Sequence, residues 1–257
     1  VGIPRYTMTV HDGRLYVRMG SPVTSRNNDN QLMRSESHLV CLNIATGQGK
    51  PVWTIEAGKI SPDLGNWEFE GSPIVTDGKL YVALRKSSPQ PQANVACFDA
   101  ENGRLLWNRK VCAFLAPVGD HLEEVSHQLL TLGDGTLFYS TNQGAIAAIA
   151  AHDGSLNWVV TYERNAQASW VSKLKNGLVP CLYHQGTVVA APADLKNIAA
   201  QGARPGQFWR MPATGTVMGI DAKTGVLKWR KELTGGVRHL LGVHQNRLVV
   251  SGDFLWG

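Results

Sequence analysis

The segment MGIDAKTGVLKW, residues 218–229, decides the fold. It joins a short apolar run to Asp221, a Thr224-Gly225 pair and a tryptophan four residues after the glycine. The phrase recurs in looser form as HLVCLNIATGQGKPVW (38–53), NVACFDAENGRLLW (94–107) and AIAAIAAHDGSLNW (145–158). A phrase that returns at roughly 50-residue intervals is typical of a repeat architecture.

A second phrase precedes each copy of the first, and a fifth copy of it follows Trp229. It occurs as TVHDGRLYV (9–17), IVTDGKLYV (74–82), TLGDGTLFY (131–139), LYHQGTVVA (182–190) and GVHQNRLVV (242–250). Asp-Gly between alternating apolar runs predicts a hairpin, because a two-residue turn needs positive φ. The Thr224-Gly225, Asn102-Gly103 and Asp153-Gly154 pairs predict a second tight turn in each unit. Four short antiparallel strands per unit predict an all-β fold, a β-propeller of four-stranded blades.

The tryptophan of each unit falls early on the predicted outer strand, where a large flat side chain can cover the seam between blades. The blade motif is therefore interpreted as packing rather than chemistry. Its members are Trp53, Trp107, Trp158, Trp229, Gly47, Gly103, Gly154, Gly225 and Asp221. In the same alignment Cys41 and Cys97 share a column with Ala148 and Gly219, which indicates a buried position for small residues.

Composition restricts the function classes. The 257 residues carry 25 Lys+Arg against 20 Asp+Glu, and the basic residues are scattered, so we expect no nucleic-acid ligand. No run of about 18 apolar residues predicts a transmembrane segment, and no signal peptide is visible. The four cysteines form no C-x-x-C and no haem-binding C-x-x-C-H motif.

DAKTGVLKW, DAENGRLLW and the DG-LYV hairpins resemble the repeat of the PQQ-like β-propellers. These include the quinoprotein alcohol dehydrogenases and the outer-membrane assembly lipoprotein BamB. The motif, A-x-D-x-x-T-G-x-x-x-W, is matched fully by the last copy and partly by the other three. The quinone enzymes of the family are known for a vicinal disulfide, and this sequence has no adjacent cysteine pair.

The resemblance implies a ring of about eight blades, whereas residues 1–257 predict four blades and a partial fifth. The expected units are about 1–68, 69–117, 118–168, 169–236 and 237–257. We therefore expect a single partial propeller domain that belongs to a longer chain or is completed by another chain.

Strand alternation assigns most long connections to one face, which we call the long-loop end. They are residues 20–38, 56–72, 112–127 and 192–215. Long loops concentrated on one face predict a binding surface. The inner strands enter from that face, so a polar ring is expected at the channel mouth, with Trp67 and Glu68 near it. Its members are Arg5, Glu70, His127, Arg238 and His239.

Two structural alternatives stay open. An ion pair such as Arg5–Glu70 would simply tie blades together, and the long loops would pack on one another. The cluster HLEEVSH (121–127) has no zinc-binding spacing, so a solvated loop is favoured over a metal site.

The leading functional hypothesis is a non-catalytic scaffold module that binds a protein or small ligand through the long-loop end, with no cofactor and no metal. The alternative is a PQQ-dependent dehydrogenase, with PQQ and Ca²⁺ held largely by residues outside this stretch. A third hypothesis is a cation-dependent lyase or sugar-active propeller that uses Glu68, Glu70 and His127. The resemblance implies a periplasmic or cell-envelope location, and a protein partner or further blades of the same parent.

Overall fold

The computed structural model describes residues 8–19, 37–46, 50–61, 67–86, 90–113, 130–141, 144–162, 179–192, 214–234, 237, 239–252 and 255–256. Within these ranges the chain forms five antiparallel sheets and a single 3-10 turn at Ala57–Lys59. None of their helical segments has the length and apolar character that crossing a membrane requires.

The first compact unit contains two four-stranded sheets together with residues 151–155. Its strands are β1 (Met8–His11), β2 (Arg14–Met19), β3 (His38–Asn43) and β4 (Pro51–Glu56), then β5 (Trp67–Thr76), β6 (Lys79–Lys86), β7 (Gln92–Asp99) and β8 (Leu105–Ala113). In both sheets every strand pairs with the next in sequence. This is the up-and-down order of a propeller blade.

The second unit contains two four-stranded sheets and one of three strands. The four-stranded sheets are formed by β9 (Leu130–Gly133), β10 (Thr136–Ser140), β11 (Ala145–Ala150) and β12 (Leu156–Thr161), and by β13 (Leu182–His184), β14 (Thr187–Ala190), β15 (Thr214–Asp221) and β16 (Leu227–Thr234). The third sheet is formed by β17 (His239–His244), β18 (Arg247–Ser251) and β19 (Leu255–Trp256). The order of strands is again sequential in each sheet.

The first and second strands of each sheet are joined by a two-residue turn with positive φ at both positions. In the first sheet Asp12 has φ +45° and Gly13 has φ +70°. The same geometry occurs at Asp77-Gly78 and at Gln185-Gly186. This is the mirror-image turn that matches strand twist, so the predicted hairpins are confirmed, including the two that lack Asp-Gly, at Gln185-Gly186 and Gln245-Asn246.

The turn between the third and fourth strands is longer than the tight turn that the sequence predicts. In the second sheet it spans residues 100–104, and only Gly103 has positive φ, at +76°. The Asp99 carboxylate closes it, because Oδ1 accepts hydrogen bonds from the backbone N–H of Glu101 at 2.9 Å and Asn102 at 3.2 Å. The aspartate of the repeat is therefore a turn-forming residue, as its side chain satisfies the turn backbone.

The tryptophan of the repeat is the third residue of the outer strand in all four copies. The indole of Trp53 lies against Gly103, and its Nε1–H donates to the Ala100 carbonyl at 3.1 Å. In the second unit Trp158 lies against Gly225, and its Nε1–H donates to the Ala222 carbonyl at 2.9 Å. Each tryptophan thus closes against the turn of the following repeat.

Trp107 makes the same contact with a different hydrogen bond. Its indole lies against Gly154, but its buried Nε1 has no hydrogen-bond partner among the described residues. Arg109 Nε donates instead to the Gly154 carbonyl at 2.5 Å. Ala150 occupies the aspartate column of this turn, and the Asp153 carboxylate accepts hydrogen bonds from the backbone N–H and the hydroxyl of Ser155 instead.

The small-residue column faces these tryptophans across the third and fourth strands. Cys41 pairs with Trp53, Cys97 with Trp107, Ala148 with Trp158 and Gly219 with Trp229. None of the four cysteines forms a disulfide bond. Burial raises the pKa of Cys97 to about 11 and that of Cys181 to about 12.

One predicted connection is shorter than expected. The sequence indicates a long loop over residues 56–72, but β4 ends at Glu56 and β5 begins at Trp67. The segment WEFEG therefore belongs to the inner strand. Successive side chains of this segment therefore point to opposite faces of the sheet, as in any strand.

Candidate functional site

Buried polar side chains of the described residues lie at one end of their sheets. They are Arg18, Ser37, Glu70, Lys86, Asn94, Ser140, Thr141 and Thr216. Each lies near the start of a first or third strand or near the end of a second strand, which is the long-loop end. None of the described residues at the two-residue-turn end belongs to this set. Because burying a polar group is costly without partners, this clustering marks the end where the fold supports polar chemistry.

The charged core of the candidate site is formed by β5 and β6. Their antiparallel register places Glu68 directly opposite Arg85. Arg85 Nη2 lies 3.0 Å from Glu68 Oε2, and Arg85 Nε lies 3.5 Å from Glu70 Oε1. The exposed fractions of the three side chains are 27% for Glu68, 16% for Arg85 and 3% for Glu70. One guanidinium therefore contacts two carboxylates at the margin of the core.

A bulge fixes the direction of Glu70. The pairing of β5 with β6 shifts register between Glu70 and Ile74, and Gly71 has φ +71° in this segment. Pro73 lies in the same bulge, where its carbonyl accepts a hydrogen bond of 2.5 Å from Thr9 Oγ1. A bulge in an inner strand redirects side chains, so backbone geometry holds the Glu70 carboxylate on the side of Arg85.

Trp67 and Lys86 form a second pair on the opposite face of the same two strands. They are direct cross-strand partners, and each is only 6% exposed. The Lys86 Nζ atom lies 5.6 Å from the centroid of the Trp67 ring. This is a cation–π distance, and desolvation strengthens such a contact. The long-loop end of the second sheet thus has an ion cluster on one face and an aromatic–cation pair on the other.

The structure brings together three of the residues that the sequence indicated, namely Trp67, Glu68 and Glu70. His239 begins β17 in the second unit, is exposed, and has Nδ1 2.9 Å from Ser251 Oγ. The predicted site residues Arg5, His127 and Arg238, and the motif residue Gly47, lie outside the described residues.

Sequence reasoning missed Arg85 and Lys86. A signal for them was present, because the segment ALRK (83–86) ends the second strand opposite WEFE (67–70). Counting outward from the Asp77-Gly78 turn would have brought the two segments together at the same end of the sheet, although the bulge after Glu70 shifts the register so that Arg85 lies opposite Glu68. Glu70 makes an ion pair with Arg85 of its own sheet. The expected pair of Glu70 with Arg5 lies outside the described residues and stays a prediction.

The carboxylates of this site do not fit a calcium ion. Calcium takes about six to eight oxygen ligands, whereas Glu68 and Glu70 are already directed at the Arg85 guanidinium. The described residues contain no cluster of three His, Cys, Asp or Glu side chains with metal-binding geometry. The lyase or sugar-active hypothesis also uses His127, which lies outside the described residues, so it stays a prediction.

Comparison with known proteins identifies relatives of two kinds, an assembly-factor family and a quinone-linked dehydrogenase. A family model described as outer membrane protein assembly factor BamB matches residues 35–209. The dehydrogenase subunit of the quinone alcohol dehydrogenase of Gluconobacter oxydans (strain 621H) is 30% identical over 166 residues, which is 63% of this chain and 19% of that protein. The chain thus spans about a fifth of that curated relative.

Solved structures share the architecture at low sequence identity. BamB from Moraxella catarrhalis is 12% identical with a TM-score of 0.50, over 96% of this chain and 66% of that one. A europium-containing methanol dehydrogenase is 12% identical with a TM-score of 0.54, over 89% of this chain and 41% of that one. These likenesses establish the all-β propeller fold.

Proposed function

This chain belongs to the family of the outer membrane protein assembly factor BamB, and from that premise we propose that it is a non-catalytic propeller module that binds a protein or small molecule at its long-loop end. The observation that carries the proposal is the clustering of buried polar side chains at that end of the sheets. A preorganised polar surface lowers the entropic cost of binding.

The Arg85 cluster supplies the recognition chemistry. Glu70 is fully enclosed, while Glu68 and Arg85 keep part of their side chains in solvent. A ligand that approaches this end meets a carboxylate and a guanidinium already fixed in position. Paired polar groups of this kind contribute specificity and fix the register of a partner.

We further propose that the five sheets belong to a larger propeller with units of about 1–68, 69–117, 118–168, 169–236 and 237–257. A periplasmic or cell-envelope setting is proposed as well. It is supported by the likeness to the outer membrane protein assembly factor family, which also supports a protein partner.

A photocrosslinking pair in one sheet tests the binding face. Gln90 and Asp77 are both exposed and lie at opposite ends of the second sheet. p-Benzoylphenylalanine at position 90 of the parent protein is expected to give an adduct of defined mass in its native cell. The same group at position 77 is the matched control and should give none. Adducts at position 77 alone, or equally at both positions, would contradict the proposal.

The Gluconobacter relative favours a second candidate, a quinone-dependent dehydrogenase with cofactor ligands outside the described residues. Titration of the purified parent with PQQ plus Ca²⁺, followed by tryptophan fluorescence and thermal unfolding, separates the two functions. Saturable micromolar binding with a higher Tm would overturn the non-catalytic proposal. The absence of any response would exclude the quinone enzyme.

A further inference from the structure

The outer strand β12 is an exposed sheet edge without charge. Its six residues, LNWVVT, include no charged side chain, no glycine and no proline. Leu156 is 41% exposed and Val159 is 37% exposed. An unprotected edge of this kind is a template for pairing with another strand. The inference drawn from it concerns this edge alone and does not depend on what the long-loop end binds.

The outer strands of the other four-stranded sheets carry residues by which natural sheets block edge pairing. Lysine, other charged side chains and proline keep an edge from accepting a further strand. Among the outer strands that the structure describes in four-stranded sheets, β12 alone lacks all of them. The protecting residues are Pro51 and Glu56 on β4, Arg109 and Lys110 on β8, and Lys228, Arg230, Lys231 and Glu232 on β16.

Backbone hydrogen bonds show which groups of β12 face outward. The Tyr162 N–H donates to the Gly144 carbonyl at 2.9 Å, next to the start of β11. Ala145, the partner of Thr161, instead directs its carbonyl to the Thr141 N–H on the side of β10. Because hydrogen-bonded and non-hydrogen-bonded pairs alternate along antiparallel strands, two residues of β12 past its register shift direct their N–H and C=O groups away from the sheet. They are Val159 and Thr161.

Self-pairing suits β12 and is opposed by charge on β8 and β16. An antiparallel pairing that satisfies both outward residues places Val159 opposite Thr161 of a second copy and centres on Val160. It forms about four backbone hydrogen bonds, two for each hydrogen-bonded pair. The equivalents of Val160 are Arg109 on β8 and Lys231 on β16. Like charges directly opposite each other destabilise a sheet, so of these three strands only β12 meets its own copy without repulsion.

We propose that β12 is a self-association edge, at which two copies of the chain pair antiparallel about Val160 and form one continuous sheet. The second copy is the occupant because a six-residue strand of high β-propensity, without charge or proline, pairs well with an identical strand. The arrangement is isologous, since the same edge serves both partners. One pair of short strands is a small interface, below the roughly 1,200 Å² of a standard one, so we expect a weak dimer with a Kd of about 100 µM.

Sedimentation equilibrium of the native chain from about 5 to 500 µM tests the association, because this range brackets the expected Kd. The average mass is expected to rise from 28.0 kDa towards twice that value. Val159→Lys should stay monomeric, because lysine protects an edge. The fold tolerates a cation at this position, since Arg230 is its equivalent on β16. Thr54→Lys, at the equivalent position of β4, is the matched control and should associate like the native chain.

The sedimentation results can contradict the proposal in two ways. A native chain that stays at 28.0 kDa throughout the range does not pair at this edge. Association that persists in Val159→Lys, or that is lost equally in Thr54→Lys, takes place through another surface. Either result would overturn the assignment of β12.

Amide hydrogen exchange of the native chain, followed by NMR, tests the register without any substitution. The N–H groups of Val159 and Thr161 should exchange about threefold more slowly at about 500 µM than at about 20 µM, because mass action sets the paired fraction. The N–H of Val160 already faces β11 and should show no such dependence. Equal slowing at Val159 and Val160, or no dependence on concentration at Val159 and Thr161, would refute the proposed pairing.

Discussion

At the scale of single residues, glycine matters here for two separable reasons. Gly103 and Gly78 both have left-handed φ, at +76° and +69°. Gly103 also lies under the indole of Trp53, whereas nothing lies within 4 Å of a Cβ placed at Gly78. The backbone requirement is therefore common to both residues, and the steric requirement belongs to Gly103 alone.

Gly103→Ala is expected to lower the free energy of unfolding by about 3 kcal/mol, the sum of left-handed strain and overpacking. Gly78→Ala is the matched control and should lose only about 1 kcal/mol, from the backbone strain. Urea unfolding followed by circular dichroism measures both. If both variants lose the same free energy of unfolding, the methyl group added at Gly103 causes no steric strain against the indole of Trp53.

Asp221 links the turn to pH. Its pKa is held below the ordinary range by Lys228, and also by the backbone and hydroxyl of Thr224, which donate to the carboxylate. A lowered folded-state pKa gives stability that is fully present above the unfolded value of about 3.9 and is lost as pH falls towards the folded value. The Tm difference between the native chain and Asp221→Asn should therefore shrink steadily below about pH 4. A difference that stays constant from pH 7 to pH 2 would rule out this linkage.

The thiols provide a chemical test of burial. At pH 8 Cys97 and Cys181 remain protonated because burial raises their pKa values to about 11 and 12. The thiolate is the reactive form, and Cys112 is the half-buried cysteine of the four. Iodoacetamide followed by mass spectrometry should label Cys112 first in the native protein and all four cysteines alike in urea. Early native labelling of Cys181 would contradict its burial.

At the scale of elements, the β5–β6 hairpin couples the candidate site to stability. Arg85→Met should lower the free energy of unfolding by about 3 kcal/mol, because it leaves the Glu70 carboxylate buried without its guanidinium. Glu68→Gln should cost at most about 1 kcal/mol, as its partner contact is partly solvated.

The double variant Glu70→Gln/Arg85→Met is the control for this interpretation. Removing both charges should recover much of the free energy of unfolding that Arg85→Met loses. Thermal and urea unfolding at neutral pH measure the double-mutant cycle. If the double variant is no more stable than Arg85→Met, the loss comes from packing of the arginine stem rather than from the charge.

The elements also show what periodicity predicts and what it does not. Asp-Gly pairs and tryptophans locate the hairpins and outer strands, because turn chemistry is local. The turn over residues 100–104 is longer than the sequence predicts, and the Asp99 side chain accepts two hydrogen bonds from its backbone. The partners of Glu68 and Glu70 were missed because cross-strand pairing depends on a register that the bulge at Gly71 alters.

At the scale of the whole chain, each unit has its own apolar core. In the first unit Tyr16, Phe69 and Phe98 belong to one buried cluster that spans both sheets. In the second, Phe138, Val188 and Ile220 join residues of two sheets in the same way. The propeller fold could be predicted from the sequence because the turn and tryptophan motif of a blade occurs four times. The ligand could not, because side chains that bind need not repeat.

The Ala100 carbonyl accepts hydrogen bonds from Trp53 Nε1, Tyr16 Oη and Arg14 Nη1, all from the preceding sheet. The residues that complete one sheet are thus encoded in the next. A gene can therefore lengthen by duplicating a segment that begins and ends inside a sheet. The two breakpoints need only fall at equivalent positions of two repeats. Every junction formed in that way would again place a glycine turn before an indole, so the contact itself makes unequal recombination tolerable.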